Sequence, residues 1–147
     1  VITPDLTPEE AGEWVAATDR EDLDRVFLVA PSSTEERIAT VSRISSGFVY
    51  AASTMGVTGV RSVVSGDAAG LVARVRQHTT LPVCVGLGVS TGDQAAEVAR
   101  YADGVIVGSA FVKAVQSAPE DAAAREAVGA LARELANGVR GHAGAVR

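Results

Sequence analysis

Val83-Cys84-Val85-Gly86-Leu87-Gly88-Val89-Ser90 and Gly104-Val105-Ile106-Val107-Gly108-Ser109-Ala110 decide the fold. Each is a short β-rich run with glycine at its end, and the two lie about twenty residues apart from start to start, with a helical stretch between them. A strand ending in glycine leaves backbone N–H groups clear of any Cβ, and the following helix start adds unpaired N–H groups and a positive dipole end. Two such turns in succession make a cup for a phosphate. In a (β/α)8 barrel the loops after strands 7 and 8 commonly build this site, so the pair reads as the last two units of a phosphate-binding barrel.

Outward from that pair, short β-branched runs alternate with amphipathic stretches, the signature of βα units and a parallel sheet. Five parallel strands alternating with helices are expected. Val1-Ile2-Thr3 is the first strand, and Thr7 is placed to cap a helix running to about Thr18, with Pro8 at its first position and Glu9 and Glu10 at its positive end. Val26 to Ala30 is the second strand, apolar throughout as a strand covered on both faces should be. Ser33-Thr34-Glu35-Glu36 opens the next helix with a capping-box pattern, carrying Ile38, Val41 and Ile44. Phe48 to Ala52 is the third strand. A helix from Asp67 to His78 and the fourth strand, Val83 to Val85, follow. Ser90-Thr91-Gly92-Asp93 caps a helix over Gln94 to Tyr101, Val105 to Val107 is the fifth strand, and an Ala-rich helix from Ala122 to Val139 closes the domain. Residues 1–140 are thus expected to form one barrel part, and residues 141–147 a flexible tail.

The segment from Ser53 to Gly66 is long for a connection and holds Gly56, Gly59 and Gly66, so Gly56-Val57-Thr58-Gly59 reads either as a lid with glycine hinges or as a glycine-rich turn. Ser109 offers a hydroxyl and an N–H to a phosphate oxygen, and Gly88 lets the backbone come close. Tyr50 reads as a core residue with its hydroxyl at the rim, or as the wall of an aromatic pocket. His78 and His142 are isolated and expected to be solvated, Cys84 reads as a small buried hydrophobe, and Asp5 beside Pro4 suits a turn as well as a barrel mouth.

Composition excludes several classes of function. A net charge of −5 with scattered Lys and Arg gives no basic stripe for nucleic acid, and a single cysteine gives no disulfide framework or metal-ligand spacing. No leader pattern and no apolar run of about 18 residues stands out, so the cytoplasm is the expected compartment and no membrane partner is expected. At 147 residues the chain is short of the ~250 of a complete barrel, and it begins at Val1, so a truncated chain is expected.

In this order, Pro4-Asp5-Leu6 with Glu9-Glu10, Phe27-Leu28-Val29-Ala30-Pro31, Ser33 to Ile38, Ser46-Gly47-Phe48-Val49-Tyr50, Gly56-Val57-Thr58-Gly59, Gly86 to Ser90 and Ala102 to Ala110 resemble the C-terminal part of the tryptophan synthase alpha subunit family. The resemblance implies that strands 4 to 8 of a TIM (β/α)8 barrel are present and strands 1 to 3 absent. It implies a carbon-carbon lyase of tryptophan biosynthesis that cleaves indole-3-glycerol phosphate to indole and glyceraldehyde 3-phosphate by a retro-aldol reaction, with no metal or cofactor in this subunit. It also implies a pyridoxal-phosphate beta subunit as partner. By the same resemblance Gly59, Gly88, Gly108 and Ser109 hold the phosphate, Gly56 and Thr58 belong to the lid, and Tyr50 and Leu87 line the indole pocket. The family's proton-transferring Glu and the Asp that acts on the indole nitrogen match no residue here, so the chain alone is expected to be inactive. Leu87 stands where the family usually carries Phe, and Thr54-Met55 where an Arg is common. A non-catalytic half-barrel binding a phosphorylated metabolite or a partner subunit is the alternative, and a different reaction on a phosphorylated metabolite a weaker one.

Overall fold

The computed structural model describes residues 1–53, 66–86 and 88–142. Four parallel strands, β1 (Leu28–Val29), β2 (Val49–Ala52), β3 (Val83–Gly86) and β4 (Gly104–Ile106), form one sheet in the order β1-β2-β3-β4. Between them run α2 (Glu35–Ile44), α3 (Gly66–Val75) and α4 (Gly92–Val98). Helix α1 (Gly12–Arg20) precedes the sheet, and α5 (Ser109–Gln116) and α6 (Asp121–His142) follow it. A parallel neighbour in every step with a helix in each crossover is the βα repeat that the sequence pattern predicts.

The register sorts the side chains into two faces. Leu28, Tyr50, Cys84 and Gly104 lie in one row, and Ala52, Gly86 and Ile106 in the next. The alternate residues Val29, Val49, Ala51, Val83 and Val85 point the other way and pack with Ile38 and Val41 of α2, Leu71, Val72 and Val75 of α3, and Ala95 and Val98 of α4. That helix-covered face is the core, with its members 0–2% exposed. The face carrying Leu28, Tyr50, Cys84 and Ile106 is only half-buried. The second strand is therefore not covered equally on both sides, and Cys84 is half-buried rather than enclosed; burial and the charge of Asp103 push its thiol up.

Two other expectations change. Val1-Ile2-Thr3 makes no full strand: it is a single parallel bridge between Ile2 and Val26, held by Val26 N–H to the Val1 carbonyl (2.8 Å) and Thr3 N–H to the Val26 carbonyl (3.3 Å). Thr7 caps no helix, because its hydroxyl donates to the Glu10 carboxylate (2.9 Å) while Glu9 pairs with Arg37. The Thr7–Ala11 stretch closes as turns, and α1 starts at Gly12. Thr34 and Thr91 do cap: their hydroxyls accept the N–H groups of Arg37 (3.2 Å) and Gln94 (3.3 Å). Helix α5 is the element that the alternation of strands and long amphipathic stretches does not single out.

Polar ties join the elements at their ends. Arg25 donates to the Ile44 carbonyl (2.7 Å) and the Thr18 hydroxyl (3.2 Å) and pairs with Asp19, linking α1, β1 and α2. Arg74 of α3 pairs with Glu35 of α2 and reaches the Pro31 carbonyl (3.2 Å). His78 is not isolated: its Nε2 lies 3.0 Å from Glu35. Asp103 accepts the Val83 N–H (2.9 Å) and pairs with Arg76 (2.9 Å), pinning the start of β3 to the approach to β4. Burial alone would raise the Asp103 carboxyl, but the Val83 N–H and the Arg76 guanidinium outweigh it and hold the group below its ordinary value. A depressed folded pKa means stability that is present above the ordinary carboxylate range and lost as pH falls through the lowered folded value. Asp103→Asn is expected to lower the urea midpoint near neutral pH and to flatten the loss of stability toward about pH 3 relative to the parent, compared by equilibrium unfolding at both. Equal acid sensitivity of the two chains would contradict it.

Candidate functional site

The strand C-termini are where an α/β sheet presents backbone to a ligand. After β3 the chain passes Gly86 and reaches Gly88, exposed and at φ 88°, a left-handed conformation that glycine adopts without a Cβ penalty. After the adjacent β4 it passes half-buried Val107 to Gly108 and Ser109, both exposed, where α5 begins. The structure thus brings Gly88, Gly108 and Ser109 to the ends of neighbouring strands. Gly56, Thr58, Gly59 and Leu87 lie outside the described residues.

The two helix starts beside this spot differ in what already occupies them. At α4 the Thr91 hydroxyl accepts the Gln94 N–H, Gln94 Oε1 accepts the Ser90 N–H (2.8 Å) and hydroxyl (3.1 Å), and Glu134 Oε1 accepts the Gly92 N–H (2.8 Å). Asp93 adds a negative charge in the first turn. At α5 the N-cap is Gly108, with no side-chain acceptor and no acid in the first turn. The Gly108 carbonyl takes the N–H groups of Phe111 and Val112, so the Ser109 and Ala110 N–H groups precede the first intrahelical bonds. An anion is therefore favoured at α5 by dipole and donors together, and disfavoured at α4 by carboxylates already in place.

Behind these turns the half-buried face of the sheet forms an apolar wall. Tyr50 and Ile106 converge over Gly86 from the two neighbouring strands: a Cβ built on Gly86 would lie 2.6 Å from the Tyr50 Oη and 2.9 Å from the Ile106 Cβ. Gly86 therefore serves the wall as well as the turn. Ile106 is a wall residue whose sequence context marks it only as part of a strand; the signal for it is its register opposite Gly86. Burial raises the Tyr50 phenol, so it stays protonated and able to donate. At β1 a hollow of about 290 Å³ is lined by Leu6 and Pro8, by Leu28 and Ala52, and by Val29 and Val41 of the helix-covered face. A larger cavity of about 420 Å³ lies elsewhere, between Val105, Phe111 and the Leu135 and Val139 side of α6. Among the described residues no cluster of His, Cys, Asp and Glu is arranged to hold a metal ion, and no helix is long and apolar enough to cross a membrane.

The sequence profile of the tryptophan synthase alpha chain matches residues 1–140. The chain belongs to the tryptophan synthase alpha chain family. It is similar to the tryptophan synthase alpha chain of Acidothermus cellulolyticus, 64% identical over 140 residues, a match that covers 95% of this chain and 52% of that one. The corresponding chain of Mycobacteroides abscessus is 59% identical over 140 residues, with 95% and 51% covered. Among solved structures, the aminoacrylate-bound tryptophan synthase of M. tuberculosis superposes with a TM-score of 0.80 at 50% identity, over 95% of this chain and 49% of that one. The tryptophan synthase complex of Pyrococcus furiosus gives 0.74 at 28% identity, over 95% and 53%. The chain spans about half the length of the curated relatives it matches, and its four-stranded sheet is the corresponding part of the tryptophan synthase alpha barrel.

Proposed function

We propose that this chain carries the phosphate-binding and indole-facing half of a lyase that cleaves indole-3-glycerol phosphate to indole and glyceraldehyde 3-phosphate. The observation that carries the reading is the uncapped start of α5 at Gly108–Ser109, one strand away from the left-handed turn at Gly88. The N–H groups there and the Ser109 hydroxyl bind the phosphate, a group remote from the bond that breaks. That binding energy fixes the glycerol chain and helps orient the reacting carbon. Tyr50 and Ile106 bound the flat apolar part of the substrate, and Leu87 takes part in the same pocket by the family resemblance. Gly59 completes the phosphate contacts, and Gly56 and Thr58 form the lid that excludes water over the bound substrate. Residues 1–140 act as one unit of the barrel. On this reading the family's proton-transferring Glu and Asp match no residue of this chain, so the chain binds and the other half supplies proton transfer. The cytoplasm and a pyridoxal-phosphate beta subunit that takes up the indole go with this reading.

The test is indole release from indole-3-glycerol phosphate on mixing this chain with the separately made N-terminal half of the Acidothermus cellulolyticus relative. Indole is expected only from the mixture. Ser109→Ala is expected to lower kcat/KM about tenfold, the effect of losing one hydrogen bond to a charged group. Association of the halves without indole release would overturn the lyase reading and favour a half-barrel that binds a phosphorylated metabolite without cleaving it.

A further inference from the structure

Helix α6 contributes no residue to the phosphate turns, yet it contacts both helices that follow them. Glu134 Oε1 accepts the Gly92 N–H at 2.8 Å, joining the first residue of α4 to a helix more than forty residues away. The two backbones meet at the same place: a Cβ on Gly92 would lie 2.8 Å from the Glu134 carbonyl oxygen. Next to that contact α6 also meets α5, with Leu135 and Val139 across a cavity from Phe111 that Ala95 of α4 lines as well. One helix therefore fixes both where α4 starts and where α5 lies. The link from Gly92 back to Gly88 has little slack. Val89 is buried at 3% exposure, the Ser90 N–H is held by Gln94, and Thr91 is the cap residue.

We propose that Glu134 is a positioning residue for the phosphate cup, holding the Gly88 turn at the spacing from Gly108–Ser109 that an anion needs. This rests on the phosphate-binding reading given above. Glu134 does not touch the anion. Its carboxylate occupies the Gly92 N–H and so fixes the start of α4, and the short anchored segment passes that position on to Gly88. Geometry and charge predict opposite signs for its removal. Loss of a carboxylate near an anion site tightens binding by electrostatics alone, whereas loss of the clamp weakens it.

The experiment is a titration of the 15N-labelled 147-residue chain with inorganic phosphate, following the amides of Gly88 and Ser109 for the anion and of Gly92 for the clamp. In Glu134→Ala the Kd for phosphate is expected to rise about fivefold or more, the size of a modest coupling between two sites. Glu134→Gln, which keeps the Oε1 acceptor, is expected to bind at least as tightly as the parent. A purely structural role would lower the unfolding midpoint of Glu134→Ala and leave its Kd unchanged, which would overturn the proposal while leaving the cup intact. Tighter binding by Glu134→Ala would also overturn it. No phosphate-dependent shift at Gly88 or Ser109 in the parent would instead remove the phosphate-binding reading, and the proposal with it.

Discussion

Gly138→Ala is expected to destabilise the fold by about 3 kcal/mol, at the upper end of what overpacking costs. At an open position inside a helix the same exchange stabilises by about 1 kcal/mol, because glycine is the poorer helix former. The sign at Gly138 is reversed by a backbone contact. A Cβ there would lie 2.1 Å from the carbonyl oxygen of Gly92 and 2.9 Å from its Cα. Neither atom belongs to a side chain that can rotate away, so the methyl can be housed only by moving α4 off α6. That movement also breaks the Gly92 to Glu134 hydrogen bond and opens the packing around Ala95 and Leu135, so the costs compound. Gly129 on the same helix is the control. Its Cβ would meet only the far end of the Arg133 side chain at 3.3 Å, and Gly129→Ala is expected to gain up to about 1 kcal/mol. Urea unfolding of the parent and the two variants measures both. Parent-like stability for Gly138→Ala would show that α4 and α6 do not cross at van der Waals contact.

The features that were legible in the sequence are those that local chemistry requires. Val83-Cys84-Val85 and Val105-Ile106-Val107 read as strands because β-rich runs stop at glycines; the first lies within β3, and the second overlaps β4 at Val105 and Ile106. Thr34 and Thr91 read as caps because a hydroxyl ahead of acidic or amide residues has a backbone N–H within reach, and each takes one. Thr7 carries the same local signature and fails, because its hydroxyl goes to a carboxylate and Glu9 is drawn to Arg37 of α2. The Val1–Thr3 strand shrinks to a bridge, since among the described residues it pairs with Val26 alone. The site follows the same division. Gly88, Gly108 and Ser109 could be named as candidates because a glycine after a strand and a helix start are both local features. Ile106 and Glu134 could not, since one depends on strand register and the other on which helix crosses α4. The Gly92–Gly138 contact shows the limit most plainly: from sequence a glycine inside an Ala-rich helix is only a weak point, and its packing role exists only once a second helix lies against it.

The second large effect concerns the wall of the site. Gly86→Ala is expected to cost about 2 kcal/mol in stability, within the usual range for overpacking, and to displace Tyr50 from its place over the strand. The added methyl would stand 2.6 Å from the Tyr50 Oη, 2.9 Å from its Cε2 and 2.9 Å from the Ile106 Cβ. The first two contacts are with the end of a half-buried ring, which can swing out; the third is with a Cβ fixed by β4. Relief is therefore available on one side only, and it comes by expelling Tyr50 from the face where the substrate's flat ring is proposed to lie. A double-mutant cycle separates the two contributions. Tyr50→Ala alone loses apolar contact, but in the Gly86→Ala background it also removes two of the three clashes, so the pair should be less harmful than the sum of the singles by about 1 kcal/mol or more, the size expected for residues in direct contact. Phe at position 50 removes only the hydroxyl and leaves the Cε2 contact, so Tyr50→Phe should rescue less than Tyr50→Ala. Unfolding midpoints of the four chains of the cycle, with Tyr50→Phe as a fifth and sixth in the two backgrounds, supply the comparison. Strict additivity of Gly86→Ala and Tyr50→Ala would mean that the ring does not lie over Gly86, and the apolar wall would then have to be built from Ile106 and its neighbours without Tyr50.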